Sequence, residues 1–498
     1  MVNKLLIHVV MLFVGAGFLG VASASHADQG FMGPVRVEGK AWVTDTGRFM
    51  VRGVALAGVD EKGNDDLLAD NNLSYIQNSI LPKLEELHVN AIRVYRVDPG
   101  KPHGEVMALL QKAGIYVLIE IMNQDVNVNR IAPQYSQQLY DRAKQVVDAF
   151  QKYDNVLGFS VGNEVIFPGN ILAYTPPDKS PSTLETDDAR VEKSLIRDVK
   201  QYMQDKGYRQ IPVGVAMQDG PSYSMVPDEI NAGMIGTNEV AKYYACDTEG
   251  AHADFIGINS YRYLTPSPGA PDNLNAYFNH IGDVKDFSIP VIFTEMGAQN
   301  RVGGSNAPSI TRDWAIIPYE YKTPDLYNQF SGDFAFMFFD TDEKLGLYNQ
   351  KDVSPVNYGG GVTGGAEALA KVYAEVSTIV PPMPPVNSVQ SCPAFNPPLF
   401  PTRNSGQKIE IKVENYATVE GVKVVQGGNV LTTLPVAPSN TAPAEPVTIS
   451  VSTVDDVLLQ QNVGNNWYPV CIVTKDKIKA GITVMNNVQW GDVDCNIR

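Results

Sequence analysis

Eight short segments rich in Val, Ile and Phe recur between residues 50 and 339, and segments with a helical pattern separate most of them. The predicted strands are Met50–Ala57, Ala91–Val97, Tyr116–Ile121, Val156–Gly162, Pro212–Met217, Phe255–Ser260, Pro290–Thr294 and Phe334–Phe339. The predicted helices are Ser74–Leu87, Gly104–Ala113, Gln137–Tyr153, Ala189–Lys206, Asn275–Lys285 and Ala366–Val376. Strands of almost continuous apolar character are covered on both faces. Eight such units in succession predict an α/β fold, a (β/α)8 TIM barrel, rather than an open doubly wound sheet.

Composition divides the 498-residue chain into four parts. Residues 1–27 are predicted to be a signal peptide and residues 28–380 the barrel. Residues 381–403 contain eight prolines, which predict a stiff, extended linker. Residues 404–498 contain short β-type segments, which predict a small all-β C-terminal domain.

The signal peptide is predicted from three features of the first residues. Lys4 precedes an apolar run over residues 5–21, and small residues at 22–24 or 25–27 match an A-x-A-like cleavage pattern. An uncleaved anchor is the alternative. The sequence has no second apolar stretch of about 18 residues and no hydrophobic C-terminal tail. We therefore expect no integral membrane segment after cleavage, and a secreted, periplasmic or cell-envelope protein.

The charge balance narrows the class of partner. The chain has 39 Lys and Arg against 55 Asp and Glu, a formal net charge of −16. Such a surface disfavours a nucleic-acid backbone or an anionic membrane as partner. A neutral substrate suits it better, and we expect a monomer.

The cysteines and histidines limit which disulfides and metal sites the chain can form. An even number of cysteines in an exported chain predicts two disulfides, with three pairings open. These cysteines are Cys246, Cys392, Cys471 and Cys495. Their spacings exclude a CxxC site, and the four histidines after the leader form neither HExxH nor HxH. No metal site is expected.

Two glutamates directly follow predicted strands. They therefore lie at the carboxyl ends of the barrel strands, where the active sites of such barrels are found. Glu164 follows the fourth strand, after Asn163, and Glu295 follows the seventh. Burying a lone carboxylate is costly, so a structural salt bridge is one explanation. The other is a glycosidase pair, in which one acid protonates the glycosidic oxygen and the second attacks the anomeric carbon.

Other polar residues at strand ends are candidates for the same site. They are Arg93, Tyr95, Glu120, Asn163, Asn259 and Tyr261. Arg93 either pairs with a glutamate or forms a salt bridge in the barrel floor. Tyr261 either bonds the nucleophile, stacks on a sugar or is an ordinary rim aromatic, and Asn163 either bonds a sugar hydroxyl or forms a turn. For Glu120 alone, a structural salt bridge is favoured.

Two motif matches indicate other enzyme classes but lack the required context. Gly158–Gly162 matches the GxSxG nucleophile elbow, which must be followed at once by a helix, whereas Pro168 and Gly169 follow soon after it. Gly359–Gly364 matches GxGxxG, but no predicted strand leads into it. We predict neither a serine hydrolase nor a dinucleotide site.

Several runs of the barrel region match, in order, those of one enzyme family. The runs are Arg52–Ala55, Asn90–Tyr95, Ala113–Val117, Asn155–Phe159, Gly162–Val165, Arg197–Tyr202, Arg209–Gly214, Ala253–Asn259 and Ile289–Gly297. On these runs, residues 49–376 resemble the β-1,3-glucanosyltransferases, family 72 of the glycoside hydrolases, best known from fungal cell walls. The resemblance implies a retaining barrel enzyme that cleaves a β-1,3-glucan internally and transfers the new end to another glucan chain.

The resemblance also implies roles for individual residues. Glu164 falls on the family's acid/base position and Glu295 on its nucleophile. From their own positions at strand ends, Arg93 and Asn259 are expected to support them. Substrate-binding positions fall on Tyr95, Asn163 and Tyr261, and on Glu120, where the family usually has an aspartate. No metal or organic cofactor is implied. Cys246 would pair with Cys392, which leaves Cys471 for Cys495.

The sequence departs from the family at the sugar cleft. Leu56 and Ala57 stand where the family usually has Tyr and Gln, and Phe336 and Phe338 stand where it has tyrosines. These losses of polar groups favour hydrolysis over transfer, so a β-1,3-glucan hydrolase on the same barrel is one alternative. A non-catalytic glucan-binding protein is another, and the retention of both Glu164 and Glu295 counts against it.

Overall fold

The computed structural model describes residues 31–59, 63, 65–219, 233–261, 284–297, 314–342, 344–359, 362–386, 390–403, 407–413, 421–426, 429–435, 447–451, 456–463, 466–479 and 484–486. The predicted signal peptide lies outside them, as do Cys495 and most of the predicted helix Asn275–Lys285. Within these residues, no helix is both long enough and apolar enough to cross a bilayer.

A small antiparallel sheet covers the amino ends of the barrel strands. Its strands are β1 (Arg36–Glu38), β2 (Ala41–Thr44) and β3 (Gly47–Phe49). The ring of Trp42 lies 5.1 Å from Phe255, and that of Phe49 lies 4.8 Å from Tyr116, each at the start of a barrel strand. This sheet is not predicted from the sequence. It closes the bottom of the barrel with aromatic side chains and leaves the opposite end for a site.

Eight parallel strands close into a barrel, which confirms the predicted (β/α)8 fold. They are β4 (Val51–Ala55), β5 (Ala91–Val94), β6 (Tyr116–Glu120), β7 (Val156–Asn163), β8 (Val213–Gln218), β9 (Phe255–Ser260), β10 (Val291–Met296) and β11 (Phe330–Ala335). Neighbours follow chain order, and β11 pairs with β4 to complete the ring. Apart from the ends of β7 and β8, every strand residue is buried, which explains the continuous apolar runs.

The eighth strand lies earlier in the chain than predicted. The sequence prediction is Phe334–Phe339, whereas β11 spans Phe330–Ala335. The strand contains Ser, Gly and Asp in succession, a composition typical of a turn. Asp333 is nevertheless buried and accepts a hydrogen bond from Tyr373 at 2.6 Å. Gly332 is required at its position because a Cβ there would lie 2.0 Å from the Val51 carbonyl oxygen.

Helices surround the barrel. They are α1 (Leu73–Tyr75), α2 (Leu81–Glu86), α3 (Gly104–Lys112), α4 (Gln137–Phe150), α5 (Pro168–Tyr174), α6 (Pro181–Lys206), α7 (Thr237–Ala245), α8 (Ile317–Lys322), α9 (Pro324–Tyr327) and α10 (Ala366–Val376). A π-helical stretch, Ile76–Ile80, joins α1 to α2. The predicted helix Ala366–Val376 is confirmed at both ends. Helix α6 begins well before the predicted Ala189, after the N-cap Ser180.

The proline-rich segment lies against helix α6. Arg190 donates to the Pro398 carbonyl at 2.8 Å, and the Phe400 backbone N–H donates to the Ser194 hydroxyl at 2.9 Å. A disulfide joins Cys246 to Cys392, which confirms this predicted pairing. Residues 390–403 are therefore fastened to the outside of the barrel.

The described part of the tail is built from strands, as predicted. Two further short strands, β12 (Asn357–Gly359) and β13 (Val362–Thr363), lie outside the tail, just before helix α10. The tail strands are β14 (Gln407–Val413), β15 (Gly421–Gln426), β16 (Asn429–Pro435), β17 (Val447–Val451), β18 (Val457–Val463), β19 (Asn466–Val473) and β20 (Val484–Asn486). They form one three-stranded and one four-stranded sheet, with a short helix, α11 (Lys475–Lys479). The Cys471–Cys495 pairing stays a prediction because Cys495 lies outside the described residues.

Candidate active site

Arg93, on strand β5, lies at the centre of a polar cluster at the carboxyl ends of the barrel strands. Its side chain is fully buried and contacts two carboxylates. Nη2 lies 3.1 Å from Glu120 Oε2, and Nη1 lies 3.1 Å from Glu295 Oε1. A buried guanidinium is stable only when opposite charges and acceptors surround it. The ion pairs lie at the mouth of the barrel and not in its floor.

Two asparagine side chains connect the charged groups. The Oδ1 of Asn163 accepts from Arg93 at 2.7 Å and from Asn259 at 2.9 Å. Asn259 also donates to Glu164 at 2.9 Å, and its own Oδ1 accepts from Thr294 at 2.8 Å. Within the described residues, the Nδ2 of Asn163 makes no hydrogen bond. It is therefore available to an acceptor in the cleft that Asn163 lines.

The carboxylate of Glu295, on strand β10, accepts hydrogen bonds from three side chains. Arg93 and the Tyr95 hydroxyl, at 2.7 Å, both bond Oε1, and the Tyr261 hydroxyl donates to Oε2. Three donors fix the orientation of the carboxylate and match its ionised form, which can only accept. Burial raises the pKa of Tyr95 and of Tyr261 well above the ordinary value, so both hydroxyls stay protonated donors.

Glu164 follows strand β7 with its backbone in the left-handed region, at a φ of 47°. A non-glycine residue there costs about 1–3 kcal/mol, which its surroundings must offset. Its N–H donates to the Ala216 carbonyl at 2.8 Å, and its Oε1 accepts from Asn259 at 2.9 Å. Burial raises the pKa of Glu164 to about 7, and the charge of Glu295 raises it as well. Glu164 therefore retains its proton in mildly acidic solution.

Glu120, at the end of strand β6, is the third carboxyl of the cluster. It forms the buried ion pair with Arg93 and also lines the cleft. Burial raises its pKa to about 7, although the Arg93 guanidinium acts in the opposite direction. The ion pair that the sequence favoured for Glu120 is therefore present, and the same residue remains within reach of a ligand in the cleft.

A cleft of about 940 Å³ adjoins the cluster. Tyr95, Glu120 and Asn163 contribute to its lining. Leu56 and Ala57, the apolar substitutions noted in the sequence, also line it. A cleft of this size with a few converging polar groups is typical of a binding site for a small molecule or part of a polymer.

Phe336 contacts both tyrosines that hold Glu295. Its ring centroid lies 6.4 Å from Tyr95 and 5.7 Å from Tyr261, edge-on in both cases. Such edge-to-face contacts are favourable. The phenylalanine that replaces the family's tyrosine therefore still supports the two rings, although it adds no hydroxyl.

The loop after strand β6 contains a site residue that sequence patterns did not reveal. Arg130 lines the cleft and donates to the backbone carbonyls of Glu164, at 2.6 Å, and Val165, at 2.9 Å. It stands well beyond the end of β6 in the chain, so it belongs to no pattern of an apolar strand followed by a polar residue. Only the fold brings it to Glu164.

A barrel with two glutamates at the ends of its fourth and seventh strands is an arrangement used by glycosidases. Residues 24–358 match glycoside hydrolase family 72, which is described as glucanosyltransferase. The chain belongs to this family.

Individual relatives agree with that membership. The pH-responsive protein 1 of Candida albicans is 31% identical over 328 residues, covering 63% of this chain and 52% of its own length. The 1,3-beta-glucanosyltransferase gas1 of Schizosaccharomyces pombe is 30% identical over 336 residues, 67% of this chain and 54% of its own length. The chain thus spans about half the length of these curated relatives. Saccharomyces cerevisiae Gas2p, solved with laminaritriose and laminaritetraose, is 25% identical with a TM-score of 0.55, covering 73% of each chain.

Proposed function

We propose that this protein is a secreted, retaining β-1,3-glucanosyltransferase that cleaves a β-1,3-glucan internally and transfers the glycosyl group to another glucan chain. Family membership and the relatives named 1,3-beta-glucanosyltransferase support the activity. The laminari-oligosaccharides bound by Gas2p support the substrate class. The acidic net charge of −16 agrees with a neutral polysaccharide.

The main support from the structure is the short bridge between the two glutamates. Asn259 donates to Glu164 at 2.9 Å, and its carbonyl oxygen lies 3.4 Å from the Arg93 nitrogen that contacts Glu295 at 3.1 Å. Two glycosidase carboxyls must flank one glycosidic bond. A bridge of only two side chains between Glu164 and Glu295 supports this role for the pair.

The proposed reaction has two displacements. In the first, the Glu295 carboxylate attacks the anomeric carbon while Glu164 gives its proton to the departing glycosidic oxygen, so an ester forms as the C–O bond breaks. In the second, Glu164 takes the proton of an acceptor 3-hydroxyl, whose oxygen attacks the same carbon and releases Glu295. Two inversions at one carbon give net retention.

The environments of the two glutamates support this division of roles. The pKa of about 7 that burial and Glu295 give to Glu164 suits a group that must first donate and then accept a proton. Glu295 is oriented by Arg93, Tyr95 and Tyr261, as a nucleophile requires. The amide nitrogen of Asn163, which makes no hydrogen bond to the part of the chain that the structure describes, is suited to bind a hydroxyl of the reacting sugar.

One observation favours hydrolysis as the second candidate function. Leu56 and Ala57 line the cleft with apolar groups where the family usually offers two polar side chains. If the acceptor sugar binds more weakly, water competes with it to react with the glycosyl-enzyme, and hydrolysis increases. The ratio of transfer to hydrolysis is therefore expected to depend on these two positions.

Secretion is proposed on two grounds. Residues 1–27 have the pattern of a signal peptide. The Cys246–Cys392 disulfide fits a compartment in which disulfides form and persist.

The test is to incubate the purified protein with reduced β-1,3-gluco-oligosaccharides and to size the products by chromatography. Products longer than the substrate are expected and would demonstrate transfer, whereas only shorter products would identify a hydrolase. Glu164→Gln and Glu295→Gln should each lower the rate by several orders of magnitude while the protein stays folded. An unchanged substrate, or full activity in either variant, would overturn the proposal.

A further inference from the structure

We infer that Arg130 is a positioning residue for Glu164, holding the backbone of the proton donor in its left-handed conformation and contributing a positive charge beside it. This inference rests on the proposed function, because it assigns Arg130 a part in the reaction through Glu164. No pattern in the sequence singles out this arginine. It is identified by its contacts alone.

The first observation is a two-point contact on consecutive carbonyls. Arg130 Nη2 donates to the Glu164 carbonyl at 2.6 Å, and Nε donates to the Val165 carbonyl at 2.9 Å. The planar guanidinium presents its donors in a fixed fork, so it constrains both peptide planes at once. A lysine ammonium in the same place could not reproduce this geometry.

The second observation is the backbone that these carbonyls belong to. Glu164 has a φ of 47°, a conformation that a glutamate adopts only where its neighbours impose it. Its N–H is bonded to Ala216 and its carboxyl to Asn259, while Arg130 bonds its carbonyl. Loss of Arg130 would free one of three attachments and leave two. The protein should therefore fold, with a less well-placed carboxyl.

The third observation concerns charge. Charged and titratable groups on several elements face Glu164. They are Glu295 on β10, Arg93 on β5, Tyr261 after β9, and Arg130, and the amide of Asn259 on β9 lies beside them. Burial and Glu295 raise the pKa of Glu164, whereas Asn259, Arg93 and Arg130 lower it. Removal of the Arg130 charge would raise this pKa further. The acid would then keep its proton to higher pH.

Arg130 also faces other groups, which define the structural alternative. Its guanidinium lies 5.9 Å from the Phe167 ring at the start of α5. Its charge also acts on the buried carboxyls of Asp188 and Glu192 on α6. Arg130 could therefore serve only to join its loop to these helices. A test must separate that role from an effect on proton transfer.

The first measurement compares Arg130→Met and Arg130→Lys on laminari-oligosaccharides across pH. Both should lower kcat roughly 10- to 100-fold, because a small misplacement of a catalytic group has an effect of this size. The basic limb of the kcat/KM profile should move to higher pH in Arg130→Met, and much less in Arg130→Lys, which keeps a charge. Arg36→Met, on the exposed hairpin at the other end of the barrel, is the matched control and should behave as wild type.

The second measurement bypasses the proton donor. In β-laminaribiosyl fluoride, the C–F bond breaks without protonation as the ester to Glu295 forms. Azide then displaces Glu295 without a general base. With azide present, Arg130→Met and Glu164→Gln should each release fluoride at a rate within a few-fold of wild type, because neither step then requires Glu164.

The outcomes are distinct. Equal losses with the fluoride and with the oligosaccharides, or a pH profile that stays in place in Arg130→Met, would show a merely structural role and overturn the inference. Unchanged kcat in both variants would overturn it too. An inactive wild type would instead overturn the proposed function on which it rests. Arg130→Lys, checked by circular dichroism, keeps the test valid if Arg130→Met fails to fold.

Discussion

Asn259 donates its side-chain N–H to the Glu164 carboxylate at 2.9 Å. The carbonyl of the same amide lies 3.4 Å from Arg93, the cation that contacts Glu295. An amide carries a donor and an acceptor but no charge. It can therefore connect the two glutamates without adding a charge between them.

Activity is expected to fall as the pH rises through about 7. Burial and Glu295 raise the pKa of Glu164 to about 7, and the proposed first step needs its protonated form. Because the pKa is raised, the active form predominates below about 7 and is lost above it. The measurement is kcat/KM for a laminari-oligosaccharide against pH. A rate that stays constant well above this pH would contradict the assignment of Glu164 as the acid.

Removal of either tyrosine hydroxyl at Glu295 is expected to lower kcat more than it changes KM. Tyr95→Phe and Tyr261→Phe each delete one donor to the carboxylate, with an expected loss of about 10- to 100-fold. Tyr208→Phe is the control, since its hydroxyl bonds Asp148 away from the site, at 3.0 Å. Steady-state kinetics of the three variants provides the comparison. Wild-type kcat in both site variants would refute a role for these hydroxyls.

Loss of the Cys246–Cys392 disulfide is expected to destabilise the protein. The bridge joins residues 146 positions apart and fastens the proline-rich segment to the barrel. Replacing both cysteines with serine should lower the free energy of unfolding by about 2–5 kcal/mol. Urea denaturation of the variant and the oxidised wild type measures this difference. An unchanged midpoint at unchanged slope would contradict the prediction.

Asp188→Asn is expected to stabilise the protein in alkaline solution. Asp188 is fully buried, and neither carboxyl oxygen has a hydrogen-bond partner among the described residues. Burial, and then Glu192, raise its pKa from 3.8 to about 9. Between these values the folded state binds more protons than the unfolded state, so this residue's contribution to stability declines as the pH rises.

Asparagine at position 188 does not ionise, so Asp188→Asn should remove this loss of stability with rising pH. Near pH 8, the free energy of unfolding of the variant should exceed that of wild type by about 2–4 kcal/mol. In acidic solution the two values should differ little. Asp187→Asn is the control, because Asp187 pairs with Arg190 nearer the surface, at 3.0 Å. Urea denaturation at acidic and alkaline pH measures both variants. The same pH slope in Asp188→Asn as in wild type would refute the raised pKa.

Barrel strands with one buried polar residue could still be predicted, whereas β11 was misplaced because Ser331, Gly332 and Asp333 follow one another in it. In strand β6 the apolar run Tyr116–Ile119 is complete before Glu120 at its end, whereas Asp333 lies in the interior of β11. That carboxyl is acceptable in the barrel wall only because Tyr373, far along the chain, donates to it. The short strands of the bottom sheet were missed for a related reason. Their stability comes from packing against the barrel and not from their own composition.

Those residues of the candidate site that end or directly follow a barrel strand could be predicted from the sequence. Glu164 and Glu295 directly follow or end apolar runs, so the barrel pattern alone brings them to one rim. The left-handed backbone of Glu164 leaves no trace in the sequence, because glutamate has no preference for it. Arg130 was missed because its contacts are with backbone carbonyls, which any sequence offers.

The central claim is that Glu295 forms a covalent bond with the sugar, and trapping that bond tests it most directly. A 2-deoxy-2-fluoro-β-laminaribiosyl fluoride should react with Glu295 and be released slowly, because the 2-fluoro group destabilises the oxocarbenium-like transition states. Mass spectrometry of the intact protein and its peptides should find one added glycosyl group, on Glu295. A label on another residue, or no label in a protein that converts laminari-oligosaccharides, would contradict the account.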